Sequence, residues 1–104
     1  MKGLTEREKG FEAEFKLNQE LRFRVAAHRN RLFGLWAAAR LGLPADTEEA
    51  YAKTVVAADF EAPGDADVIE KVRTDLDKAG AAVTETELRA ELERAAAEAG
   101  RQIA

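Results

Sequence analysis

The sequence predicts an all-α fold, a four-helix bundle with a protruding N-terminal segment that is disordered until it binds. Three observations carry this. No β-branched or aromatic run alternates with a period of two, helix start and stop signals recur along the chain, and apolar residues return at helical spacing between them. With 104 residues, 46% apolar and 35% charged, the chain suits one domain with one modest core.

The first helix carries Leu21, Val25, His28, Leu32, Leu35, Trp36 and Ala39 on one apolar stripe, and Gly42 and Pro44 end it. Upstream the helical pattern continues. Thr5 and Glu8 have capping-box spacing, and Leu4, Phe11 and Phe15 fall near one face, although Gly3 and Gly10 weaken the stretch. Asp46 opens a second helix with Glu49 three positions on, Tyr51, Val55 and Ala58 on its apolar side and Phe60 near its end; Pro63-Gly64 stops it in a tight turn. Asp65 is placed to cap the third helix, whose stripe is Val68, Ile69, Val72, Leu76 and Ala79, with Gly80 as the left-handed residue after its end. The fourth spans about 85 to 103. Thr84-Glu85-Thr86-Glu87 is its capping box, Val83 can staple onto Leu88, and Leu88, Leu92, Ala95, Ala99 and Ile103 share a face.

Lengths set the organisation. At about 1.5 Å per residue a helix from Thr5 to Leu41 would reach about 55 Å, while partners of 14 to 19 residues would cover about 20–30 Å. The expected division is a mobile segment over 1–20 and a bundle over 21–104. A narrow apolar stripe among Glu6, Arg7, Glu8, Lys9, Glu12, Glu14 and Lys16 is the pattern of a helix that enters a partner's groove.

Composition narrows function by exclusion. The longest uncharged apolar run, Leu32 to Ala39, is far short of the roughly 20 residues that cross a bilayer. The charged N-terminus does not resemble an export signal, and the lack of Cys fits the cytosol. A single His excludes a histidine-rich metal site, and His28 is expected to be packed or hydrogen-bonded. Acids spaced by two, such as Asp75/Asp77 and Glu91/Glu93, point apart on a helix and read as solvated faces, so no catalytic pair can be named. No phosphate-binding glycine motif is present, and no cofactor is expected. Net charge is −4, divided as −1 over residues 1–20, +5 over 21–45 and −8 over 46–104. Arg22, Arg24, Arg29 and Arg31 are therefore expected to pair with the acidic later helices; weak nucleic-acid binding is the rival reading. Gly34, inside the first helix, reads as a point of close helix approach, with a hinge as the alternative.

The strings Glu20 to Ala38 (ELRFRVAAHRNRLFGLWAA) and Ala50 to Val72 (AYAKTVVAADFEAPGDADVIEKV) resemble one family, the zeta inhibitor subunit of the F-type ATP synthase of alpha-proteobacteria. Arg29 to Ala38 and Ala50 to Lys53 are the most specific parts. The resemblance implies a non-enzymatic inhibitor whose N-terminal segment wedges at a catalytic interface of the synthase head, beside the rotor, and blocks ATP hydrolysis. Its implied partners are the catalytic and rotor subunits. The free chain would be a cytoplasmic monomer, peripheral to the inner membrane when bound, without membrane insertion and without nucleic acid. The partner-binding residues are expected at Leu4, Arg7, Phe11, Glu12, Phe15 and Lys16. The alternative is a helical adaptor for some other protein.

Overall fold

The computed structural model describes residues 2–59 and 65–103, and side chains from residue 18 onward within those ranges. Four α-helices follow in order: α1 (Lys2–Leu41), α2 (Glu48–Ala58), α3 (Ala66–Lys78) and α4 (Glu85–Ile103), with a short 3-10 turn at Ala45–Thr47 before α2. No strand occurs among the described residues. The all-α, four-helix expectation holds, and the first helix is far longer than its companions, with 40 residues against 11, 13 and 19. The molecule measures 65 × 25 × 21 Å, so α1, at about 60 Å, fixes its long dimension.

Two of the ends are closed by the same device. Gly42 and Gly80 take positive φ (71° and 72°), a conformation without penalty only for glycine. After α1, the Gly42 N–H donates to Ala39 O and the Leu43 N–H to Ala38 O, both at 3.1 Å. After α3, the Gly80 N–H donates to Asp77 O at 3.1 Å and the Ala81 N–H to Leu76 O at 2.9 Å. Both pairs satisfy carbonyls that a helix end leaves open. At the start of α4 the Glu87 N–H donates to Thr84 Oγ1 at 3.1 Å, as the capping box requires, and Val83 packs on the core.

Two expected caps differ. Asp46 lies within the 3-10 turn, and the N-cap of α2 is Thr47, whose hydroxyl instead donates back to Pro44 O at 2.8 Å. Asp65 does stand at the N-cap of α3, but its side chain makes no cap bond. Its Oδ1 accepts from Arg29 Nη1 of α1 at 2.9 Å, and a charge-assisted bond outcompetes a neutral amide donor. Phe60 and the Pro63-Gly64 turn lie outside the described residues.

The core joins Phe33 and Ala37 of α1, Val55 of α2, Val68, Ile69, Val72 and Leu76 of α3, and Leu88, Leu92 and Ala95 of α4. The α3 and α4 stripes match expectation except at their ends, where Ala79 is exposed and Ile103 half-buried. On α1 the buried face is turned from the expected one. Asn30, Phe33, Gly34, Ala37 and Ala38 are buried, Leu32, Leu35 and Trp36 are half-buried, and Ala39 is exposed. The reason is packing on two sides, because α1 lies against both α2 and α4. Its most enclosed line runs between the two apolar flanks. Small residues occupy that line because backbones approach closely there. A Cβ on Gly34 would stand 2.8 Å from Ala52 Cα and 3.2 Å from Val55 Cβ. Close approach, rather than a hinge, explains Gly34.

Candidate partner-binding surface along α1

The expected partner-binding residues Leu4, Arg7, Phe11, Glu12, Phe15 and Lys16 all fall on α1, but their side chains lie outside the described residues. The side chains of the capping box at Thr5 and Glu8 likewise lie outside that description, while the backbone of residues 2–20 is helical as part of α1. The lower half of α1, from Asn18 to Leu41, has described side chains and holds the upper half to the bundle.

That lower half is tied to each of the other helices. Arg29 reaches Asp65 at the start of α3, and Arg31 forks onto Glu49 of α2, with Nε donating at 3.1 Å and Nη2 bonded as well. Hydrogen bonding to the Arg31 guanidinium holds the exposed Glu49 carboxyl below the usual carboxylate range. His28 Nε2 bonds Gln102 Oε1 of α4, so the lone histidine is hydrogen-bonded, as expected. Phe33 and Trp36 lie parallel at 5.7 Å between centroids, and the Arg40 guanidinium stands 5.3 Å from the Trp36 ring centre. The contacts of Arg29, Arg31 and His28 tie α1 to the other three helices, while those around Trp36 lie within α1.

A second cross-link joins α2 to α3. The Tyr51 hydroxyl donates to Asp75 Oδ2 at 2.8 Å, and Lys71 Nζ lies 2.8 Å from the same oxygen. Burial pushes the Asp75 carboxyl up, but hydrogen bonds from Lys71 and Tyr51 outweigh it, leaving Asp75 below its ordinary value. Burial, then the bond to Asp75, raises the Tyr51 phenol well above its own. Asp75 is thus half-buried and bonded, which corrects its reading as part of a solvated face.

The arginines divide. Arg29 and Arg31 pair with the acidic helices as expected, whereas Arg22 and Arg24 are exposed and form no ion pair among the described residues. Phe23 between them is 59% exposed. Sequence reasoning reached Phe23 only as part of the family resemblance and did not place its ring outward, although charged neighbours on both sides are a signal for that. It also missed Asn30, fully buried, whose Oδ1 accepts from Arg29 Nε at 3.0 Å while its Nδ2 has no partner. No sequence signal distinguishes Asn30 from a surface asparagine.

Two grooves run between α1 and α4. One of about 490 Å³ lies at the neck, floored by Leu21, Val25, Ala26 and Ala96. The other, about 510 Å³, lies lower, between Leu32 and Trp36 on α1 and Glu91, Arg94 and Glu98 on α4. Among the described residues no cluster of His, Cys, Asp or Glu could hold a metal ion, and no helix is long and apolar enough to cross a membrane.

A long helix anchored in a small bundle can belong to many families, and comparison decides among them. The family model described as ATPase inhibitor subunit zeta matches residues 1–102. The chain belongs to the zeta family of ATPase inhibitor subunits. The match includes the arm beyond the bundle as well as the bundle itself. A solved structure, described as a solution NMR structure, is similar to the zeta chain at 45% identity and a TM-score of 0.71, covering 79% of this chain and 93% of that one. A search of curated proteins found no match.

Proposed function

We propose that this zeta-family chain is a non-enzymatic inhibitory subunit of an F-type ATP synthase, in which residues 1–20 act as the wedge and residues 21–104 as the bundle that holds it. The observation that carries this is the reach of α1, 40 residues long where its longest companion has 19. Helical register puts Leu4, Phe11 and Phe15 within about 40° of one another around the axis, a spacing suited to a groove between subunits. In this reading Phe11 and Phe15 anchor the wedge and Leu4 extends it. Arg7, Glu12 and Lys16 make polar contacts at its margins. The groove belongs to a catalytic interface of the synthase head beside the rotor, and an inserted helix there blocks rotation in the hydrolytic direction. The site of action is then the cytoplasmic face of the inner membrane, where the head resides.

The bundle resists withdrawal of the wedge because α1 is one continuous helix from arm to core. Force on the arm is delivered to Phe33, Ala37 and the Arg29–Asp65 and Arg31–Glu49 pairs. The test is hydrolysis by the isolated catalytic head, titrated with the full chain and with a chain lacking residues 1–19. The full chain is expected to inhibit, and the shortened chain to keep its helical circular dichroism and melting transition while losing inhibition. Equal inhibition by both would sink the assignment of the wedge.

A further inference from the structure

Nearly every described arginine is engaged, Arg29 and Arg31 across helices and the others within their own helix. Arg29 holds Asp65, Arg31 holds Glu49, Arg73 holds Glu70, Arg89 holds Glu85, Arg94 holds Glu91 and Arg101 holds Glu98. Arg40 lies over Trp36. Arg22 and Arg24 alone have no such contact among the described residues, and both are exposed. They sit at the neck, where α1 leaves the bundle. Two residues apart on a helix, they point to opposite flanks, about 200° from one another.

The flanks differ. Arg22 borders the groove between α1 and α4 that is floored by Leu21, Val25, Ala26 and Ala96, with Arg29 at its far end. Among the described residues no carboxylate lines this groove, in a chain whose net charge is −4. Arg24 borders a separate hollow beside Glu20 and Phe23. An apolar trough bordered by Arg22 and Arg29, with no carboxylate among its described lining residues, is complementary to an apolar-faced helix that carries carboxylates at its edge.

We infer that the neck groove is a second docking site, which takes an acidic amphipathic helix of the same catalytic head that receives the wedge, with Arg22 meeting its carboxylate. This rests on the reading of residues 1–20 as the wedge, because that places the neck against the head. The groove begins at Asn18, about one turn of α1 after Phe15, so one partner spans both. Arg29 is already held by Asp65 and supplies field rather than a free donor. Arg22 is the residue with donors to give.

The experiment measures binding of the full chain to the isolated catalytic head against salt, with Arg22→Glu, Arg24→Glu and Ala96→Glu variants. Arg22→Glu and Arg24→Glu change net charge equally, so only position separates them. Ala96→Glu puts a negative charge on the α4 wall without touching α1. Thermal melts establish that each variant is folded, and Arg22→Lys serves as the conservative replacement. Arg22→Glu and Ala96→Glu are expected to weaken binding tenfold or more, Arg22→Lys to restore most of it, and Arg24→Glu to change it less than threefold. The salt dependence of binding should flatten in Arg22→Glu.

Affinities of Arg22→Glu and Ala96→Glu within threefold of wild type would overturn the groove while leaving the wedge standing. An equal loss in Arg24→Glu would assign the effect to overall charge and overturn it too. Duplex DNA held at low salt by the wild type, and released by Arg22→Glu and Arg24→Glu alike, would make the arginines a nucleic-acid contact instead. A wild-type chain that does not bind the head would overturn both readings together.

Discussion

At Gly34 the smallest side-chain carbon would stand 2.8 Å from the Ala52 backbone, closer than carbon atoms tolerate, and both helices there are backed by the core. Gly34→Ala is therefore expected to destabilise the bundle by about 1–3 kcal/mol, the usual cost of overpacking, read as a lower urea midpoint of Trp36 fluorescence. Tyr51 tests a polar contact instead. Tyr51→Phe keeps the ring beneath Lys71 and removes only the hydroxyl that donates to Asp75, at a cost of about 1 kcal/mol. The same pair makes stability depend on pH. Asp75 is lowered in the folded chain, so its contribution is present above the unfolded value and lost as pH falls below about 4. Tyr51 is raised, so its contribution is present below its unfolded value and lost as pH climbs above about 10. Urea midpoints of Tyr51→Phe are expected to fall less steeply than those of wild type at both extremes.

Among the elements, α4 shows most directly how a local signal becomes structure. Thr84 Oγ1 accepts from the Glu87 amide, and Thr84→Ala is expected to cost about 1 kcal/mol by thermal melting, with Thr84→Ser close to wild type. The glycines after α1 and α3 and the Thr84 box were legible in the sequence because punctuation depends on a few neighbouring residues. The caps at Asp46 and Asp65 were not. Asp65 has the correct position, yet its carboxylate goes to Arg29, thirty-six positions away, a choice made by tertiary packing. The face of α1 was only half legible for a related reason. Leu32, Leu35 and Trp36 mark an apolar flank, whereas the enclosed line is written in Gly34, Ala37 and Ala38, small residues that carry almost no hydropathic signal. Of the binding surface, the stripe of Leu4, Phe11 and Phe15 was readable as a pattern. That Arg22 and Arg24 are unlike the other arginines was not, since it depends on where every carboxylate lies.

On the scale of the molecule, the proposed action depends on α1 being a single rod, continuous from the arm into the core. A proline at Ala13 would break that continuity without touching the bundle, since it removes an amide donor and clashes with the preceding turn, at about 3 kcal/mol locally. Ala13→Pro is expected to leave the Trp36-monitored urea midpoint unchanged and to weaken inhibition of the isolated head at least tenfold. Inhibition at full strength would show that the arm works as a tether rather than a strut.

The length of that rod also governs how the free chain moves through water. Its radius of gyration is 17.4 Å, against about 13 Å for a compact chain of this size. An 11.4 kDa chain of such shape meets the drag of a heavier sphere, so a sizing column passes it early, and a lone copy can be mistaken for a pair. Light scattering, which weighs particles without regard to their friction, is the measurement that counts the copies.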